Sequence, residues 1–312
     1  SNAVVLVGER LAAVPGALSA AAAAATKSGA RLAWVPRRAG DRGALETGCL
    51  PTLLPGGRPV SDASARVDLA AAWGVDRLPE TVGRDGNEIV SAAASGLLDA
   101  LVIAGVDSAD LADPSLAQQA LDKTFVVSLD LRESSITQYA DVVFPVAADT
   151  EKAGSYVNWE GRVREFEQAF ETPAALPDLR VLAGIATEMG VDLGFRTPAQ
   201  AADQMHTVGA WDGARVAGTV TKAEGAAEGL VLASWKQMID DGRMQDGDPK
   251  LRETARKPVV LVGAATLNDL GVAEGDVVKV SGDNGSIELP VALAADMAPG
   301  TVWAPASAPG AS

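Results

Sequence analysis

The chain has 312 residues, a formal net charge of −15 at pH 7, 47% hydrophobic and 21% charged residues. That length and apolar content can core two domains, and the acidic excess excludes a phosphate backbone as a partner. The single cysteine, Cys49, and single histidine, His206, are too few to hold an iron–sulfur cluster or a structural zinc and allow no intrachain disulfide.

Ser1-Asn2-Ala3 reads as the remnant of an expression tag. Val4 to Val7 is an apolar run ending at Gly8, as expected of a strand buried on both faces of a parallel sheet. Pro15 in a first turn, the alanine-rich run Ala17 to Ala25 and a stop at Gly29 predict a helix, and Arg31 to Val35 a second strand. Gly8-Glu9-Arg10 lacks the Gly-x-Gly-x-x-Gly spacing that lets a backbone approach pyrophosphate, so no dinucleotide site is expected there.

Pro36 to Pro59 is rich in Gly, Pro and Arg without periodicity and is expected as a long loop presenting a partner surface. Cys49 within it reads as an inert thiol. Helices are expected over Ser61 to Ala72, Asn87 to Leu98, Pro114 to Leu121 and Leu176 to Met189, and strands over Leu101 to Ala104, Phe125 to Leu129 and Val142 to Pro145. This alternation predicts an α/β domain over residues 4–196, with a doubly wound, mostly parallel sheet.

Residues 197–229 turn to Ala, Gly, Thr and charge with weak periodicity and read as a linker. Residues 230–308 hold short strands, Leu230 to Ala233, Val259 to Val262 and the pair Asp276 to Val280 and Ser286 to Pro290 around Asp283-Asn284-Gly285. A small β-barrel is expected there. The longest apolar run, Ala20 to Ala25, falls far short of the roughly 20 residues of a membrane-spanning helix.

Few residues announce chemistry. Glu151, Glu160, Arg162 and Arg164 place two carboxylates and two guanidiniums in one loop, able in principle to transfer protons or clamp an anion; signs interleaved this closely favour mutual pairing. His206 has no second histidine for a metal or a triad and reads as solvated. Asp240, Asp241, Asp246 and Asp248 lack the spacing of a calcium loop and read as a solvated turn. The six tryptophans are scattered as core or interface anchors.

Phe125 to Asp130, Thr137, Ala140 to Pro145 with Asp141 and Pro145, then Glu151, Gly154, Asn158, Glu160, Gly161 and Arg162, resemble the molybdopterin oxidoreductase superfamily, with Ser155 where a threonine is usual. Leu267 to Val272 with Asn268 and Gly271, then Gly275 and Asp276, Gly285-Ser286 and Pro299 to Val302, resemble the double-psi β-barrel that follows in that superfamily. Val4 to Arg10, Trp34 to Gly40 and Ala233-Ser234-Trp235 are most similar to the G-subunit family of bacterial NADH:quinone oxidoreductase, which supplies the large peripheral-arm component of respiratory complex I.

The resemblance implies that the motif residues are structural or interfacial rather than catalytic. It implies no cofactor and no metal in this fragment, molybdopterin included, and iron–sulfur clusters in an N-terminal part outside it. Other peripheral-arm subunits of complex I would be the partners, at the cytoplasmic face of the bacterial plasma membrane without insertion into it. Two alternatives stand beside this reading. One is the pterin-dinucleotide-binding portion of a molybdenum oxidoreductase such as a formate dehydrogenase or nitrate reductase. The other, resting on the α/β pattern alone, is a free-standing nucleotide-binding protein with a regulatory barrel.

Overall fold

The structure, a computed structural model, describes residues 2–36, 38–172, 174–215, 229–243, 245, 247–282 and 285–308. The chain divides into two compact units, Ser1–Gly105 with Gln119–Glu224, and Val106–Gln118 with Gly225–Ser312.

In the first unit, β1 (Val4–Gly8) and β2 (Arg31–Val35) pair in parallel, Val4 opposite Arg31 and Gly8 opposite Val35. The connecting helix α1 (Ala17–Ser28) starts after Gly16 at φ 78° and stops at Gly29 at φ 66°, whose N–H closes on the Ala25 and Thr26 carbonyls. Both glycines hold left-handed backbone that a Cβ would strain. Pro15 therefore lies before the helix rather than in its first turn, because the chain turns into the helix through Gly16.

The stretch expected as a loop from Pro36 to Pro59 instead carries a short helix α2 (Asp41–Glu46) and a two-residue ladder of β3 (Leu53–Leu54) antiparallel to β4 (Arg58–Pro59). Elements this short contain too few residues to reveal a period. Helix α3 (Ala63–Trp73) is capped by Asp62, whose carboxylate accepts from the Ser64 and Ala65 N–H groups. Helix α4 (Gly86–Ala94) begins with a reciprocal Asp85–Glu88 capping box and ends short of the expected Leu98.

Strands β5 (Ala100–Ala104), β6 (Phe125–Asp130) and β7 (Val142–Pro145) form a second, wholly parallel sheet in that order, with helix α5 (Pro114–Lys123) in the β5–β6 crossover. Side chains alternate between sheet faces along a strand. On one face Val126 and Ile103 pack with Leu121 of α5 and Ile136. On the other, Val127, Leu129 and Phe144 pack with Val146 and with Val181 and Ile185 of α6 (Asp178–Glu188). Helices on opposite faces make this layer doubly wound, as the sequence predicts, although the parallel strands form separate sheets of two and three.

Three more elements appear in this unit where none was expected. β8 (Gly154–Val157) and β9 (Val163–Phe166) make an antiparallel hairpin out of the motif loop. Helix α7 (Pro198–Val208), opened by a Thr197–Gln200 capping box, occupies the start of the supposed linker 197–229. Its N-terminal signal, Thr-Pro followed by Gln, was masked by an exposed, weakly apolar helix body. Residues 216–228 of that segment, with Ser1, Arg37, Asp246 of the acidic run and Asp283-Asn284 of the expected turn, lie outside the described residues.

The second unit contains β10 (Val231–Lys236), α8 (Pro249–Arg252), β11 (Val260–Val262), α9 (Ala264–Leu270), β12 (Val277–Gly282), β13 (Gly285–Leu293) and β14 (Thr301–Ala306). The sheet order is β10-β14-β11-β13-β12. β10/β14 and β11/β13 are parallel, whereas β11/β14 and β12/β13 are antiparallel. The core gathers Val260, Val262, Leu267, Leu289, Val291 and Val302. The expected pairing of β12 with β13 is present, from Val277 opposite Pro290 to Gly282 opposite Gly285.

Candidate functional site

The carboxyl ends of β6 and β7 are where an open parallel sheet offers a ligand its crevice. Here a cleft of about 510 Å³ is lined by Asp130, Leu131, Arg132, Glu133, Thr137, Gln138, Val143 and Pro145. Asp130 and Pro145 are register partners at the strand ends. The Asp130 carboxylate, 4% exposed, accepts the Leu131 N–H and the Ser134 hydroxyl, both at 2.8 Å. Ser134 and Thr137 tie the following turn, the Ser134 N–H donating to the Thr137 hydroxyl at 2.7 Å. Asp130, Thr137, Val143 and Pro145 fall within the motif segments that the sequence singles out, whereas Leu131, Arg132, Glu133 and Gln138 do not. A carboxylate closing an apolar strand ahead of a polar turn was the available signal.

The motif residues are mostly spent on holding their own backbone. Asp141 clamps the start of β6, accepting the Val126 N–H at 2.8 Å while its own N–H donates to the Val126 carbonyl at 2.9 Å. Glu151 accepts the Thr172 hydroxyl at 2.6 Å and the Ala148 N–H at 3.1 Å. The Thr172 bond first and the Ala148 bond second hold its carboxyl below the usual glutamate range, against a smaller opposing effect of burial. Beside it Lys152 reaches Asp178 at 2.7 Å and Asp149 at 3.4 Å. Burial works against that ammonium, but the hydrogen bond and charge of Asp178, helped by Asp149, outweigh it and raise the lysine above its ordinary value.

Gly154 sits opposite Phe166 in the hairpin, where a Cβ would fall 2.8 Å from the ring. Asn158 builds the turn: its side-chain oxygen accepts the Glu160 N–H at 3.1 Å and the Arg162 N–H at 2.9 Å, and Gly161 turns through φ 84°. Arg162 pairs with Glu160 at 3.4 Å, which agrees with mutual pairing rather than an anion clamp. Among the described residues, no ion pair joins Glu151 to this group.

Asn268, Gly271, Gly275 and Asp276 lie in the second unit. Gly271 ends α9 at φ 67° with its N–H on the Asn268 carbonyl. The Asp276 carboxylate accepts the Ala273 N–H at 2.9 Å, and Gly275 and Asp276 exchange backbone hydrogen bonds with Val291. These residues shape the loop that leads into β12.

The remaining candidates stay apart. Cys49 is exposed with the Thr47 hydroxyl 3.6 Å from its sulfur, and Arg42 is committed to Glu46 at 2.7 Å. His206 stands in the last turn of α7. Asp240 accepts the Gly242 N–H, Asp241 pairs with Arg252, and Asp248 caps α8. Among the described residues, no three His, Cys, Asp or Glu side chains are grouped to hold a metal ion.

The fit to a pterin dinucleotide can be tested on this donor set. Its pyrophosphate would bring negative charge to a cleft where Asp130 and Glu133 already place carboxylates beside Arg132. The residues lining this cleft do not fit that group.

A doubly wound parallel layer together with a mixed sheet of double-psi type is the scaffold class of the pterin-dependent oxidoreductases. Acetylene hydratase from Pelobacter acetylenicus shares this fold, with a TM-score of 0.50 over 77% of this chain and 42% of that one at 18% identity. The chain belongs to the molybdopterin oxidoreductase family: the family model matches residues 12–185, and the model for the molydopterin dinucleotide binding domain matches residues 230–312.

Among curated proteins, the chain is 50% identical over 317 residues to the NADH-quinone oxidoreductase G subunit of Mycobacterium bovis, covering 99% of this chain and 39% of that protein. The corresponding G subunit of Streptomyces coelicolor is 46% identical, with 99% and 38% covered. The chain thus spans about two fifths of the length of these relatives.

Proposed function

We propose that this chain is the structural and interaction portion of the large peripheral-arm subunit of NADH:quinone oxidoreductase. In this reading the subunit passes electrons from NADH toward quinone through iron–sulfur clusters held outside the present sequence, and the chain itself binds neither molybdopterin nor metal. The observation that carries the reading is the 50% identity to the M. bovis G subunit across 99% of the chain. The motif chemistry supports it, since Asp141, Glu151 and Asn158 direct their side chains to backbone and neighbouring hydroxyl groups.

The domain limits proposed with it are an α/β domain from residue 4 and a barrel domain from about residue 230, serving as contact surfaces for other peripheral-arm subunits. The working location is the cytoplasmic face of the bacterial plasma membrane, without insertion. Among the described residues no helix is long and apolar enough to cross a membrane.

The test is to isolate the intact respiratory complex through a tag on the full-length subunit and, separately, to measure metals in the purified 312-residue chain. NADH:quinone activity in the isolate and no iron, molybdenum or tungsten in the chain are expected. Stoichiometric metal in the chain would overturn the reading. A second reading, the pterin-binding portion of a molybdenum enzyme, is favoured by the dinucleotide-binding model over residues 230–312. Release of a guanine dinucleotide on denaturing the purified chain would establish it.

A further inference from the structure

Helix α7 ends at Gly209, whose φ of 60° and ψ of −179° suit glycine alone, and the chain then folds back over residues 209–215. Ala210 and residues 212–215 are exposed, and Trp211 is half-buried. This segment is closed on itself: the Trp211 indole N–H donates to the Ala214 carbonyl at 3.0 Å, and Arg215 donates to the Trp211 carbonyl at 3.4 Å.

Apart from the Gly209 N–H, which ends α7 on the Met205 carbonyl, its hydrogen bonds to the rest of the unit go to one place among the described residues, the turn from Pro55 to Arg58. The Trp211 N–H donates to the Gly56 carbonyl at 2.9 Å, and Nη1 of Arg58 donates to the Gly209 carbonyl at 2.9 Å. The guanidinium carbon lies 5.8 Å from the Trp211 ring, within the range of a cation–π contact. A Cβ on Gly56 would overlap the Gly209 carbonyl, so turn and segment meet backbone to backbone.

The elements beneath do not depend on these contacts. Arg58 keeps Asp68, Pro55 and Val208 through its other four donors. Asp62 caps α3, and α7 has its own capping box. A segment tied at one point to a turn that is held independently is built to open by itself, as local units of low stability do.

We propose that residues 209–215 are a hinged strap that lifts from the Pro55–Arg58 turn as one piece while the unit beneath stays folded. Gly209 is the hinge, and the Trp211 ring on Arg58 is the latch. Lifting uncovers one donor, Nη1 of Arg58, and one acceptor, the Gly56 carbonyl.

Native-state amide exchange of the purified chain tests this. The Trp211 amide should exchange at least about tenfold faster than those of the buried Leu69 and Ala70 in α3. Its rate should depend little on urea, because an opening that exposes little surface has a small slope. Trp211→Ala removes the latch and should speed exchange at position 211 by a further factor of about ten, corrected for the intrinsic rate of alanine, with the urea midpoint of the first unit unchanged. Trp211→Phe keeps a ring over Arg58 and should restore most of the protection.

A Trp211 amide with the rate and urea slope of Leu69 would mean that the strap opens only when the whole unit unfolds, and overturns the proposal. An unprotected Trp211 amide in the unaltered chain would mean that no strap is closed, and overturns it as well. Exchange unchanged by Trp211→Ala, or a urea midpoint that falls with it, removes the ring as the latch and with it the proposal. Each of these outcomes leaves the functional reading intact.

Discussion

Arg58 binds one oxygen of Asp68 twice, through Nη2 at 2.6 Å and Nε at 2.8 Å. The rest of the guanidinium donates to the carbonyls of Pro55, Gly209 and Val208 at 3.0, 2.9 and 2.7 Å, and its carbon lies 5.8 Å from the Trp211 ring. With Arg58 4% exposed and Asp68 50% exposed, the arginine is the buried partner. It joins β4 to the following helix α3 and to the end of α7, about 150 positions away in sequence.

Arg58→Ala is therefore expected to cost about 3 kcal/mol, since it removes a buried guanidinium from three part-buried carbonyls as well as from a carboxylate. Asp68→Asn should cost less, about 1 kcal/mol, because that side chain is half in water. Urea unfolding of both variants checks the order, and equal losses would contradict the asymmetry.

Gly154→Ala should destabilise the hairpin by about 1–3 kcal/mol, because its methyl would overlap the Phe166 ring, now stacked with Tyr156 at 5.4 Å. Replacing the ring by Phe166→Leu in the same chain should recover part of the loss. A double-mutant cycle with no coupling would show that the close approach is not the cause.

Asn158→Ala removes the acceptor for two turn amides, those of Glu160 and Arg162. The loss should be local, with roughly tenfold faster amide exchange in residues 154–166, equivalent to about 1.4 kcal/mol, and no change in the second unit. Gly161→Ala should act in the same direction because of its φ of 84°.

The Glu151–Thr172 bond sets an acid limit. A carboxyl whose folded value lies below its ordinary 4.5 adds stability that is fully present above that pH and is lost as pH falls through the lowered value. Thr172→Val should move the Glu151 titration toward 4.5, and carbon-detected NMR of the side chain would read it. Lys152 behaves oppositely: its raised value adds stability present below the ordinary 10.5 and lost as pH rises through the folded value. Asp178→Asn should lower it, and an unmoved lysine titration would remove Asp178 as the cause.

What could be read from the chain was local. The unit β1–α1–β2, the stop at Gly29, the three strands of the parallel sheet and the β12–β13 pairing follow from runs of apolar residues and from turn and cap chemistry within a few positions. Elements too short or too polar for such a pattern were missed, among them α2, the β3–β4 ladder, the β8–β9 hairpin and α7, and so were α8, α9 and β14 of the second unit. The motif residues were legible as a group, but their roles as clamp, turn and cap were not.

Sequence by itself determined the class of the layers, because periodicity and punctuation act through neighbours along the chain. Only the tertiary structure decided that Arg58 is buried against the end of α7, that Gly154 faces the Phe166 ring, and that Val102 in the middle of β5 is 63% exposed. Each of these depends on which side chains meet in space, from a dozen positions apart in the hairpin to about 150 for Arg58, and contact rather than chain order sets the energy.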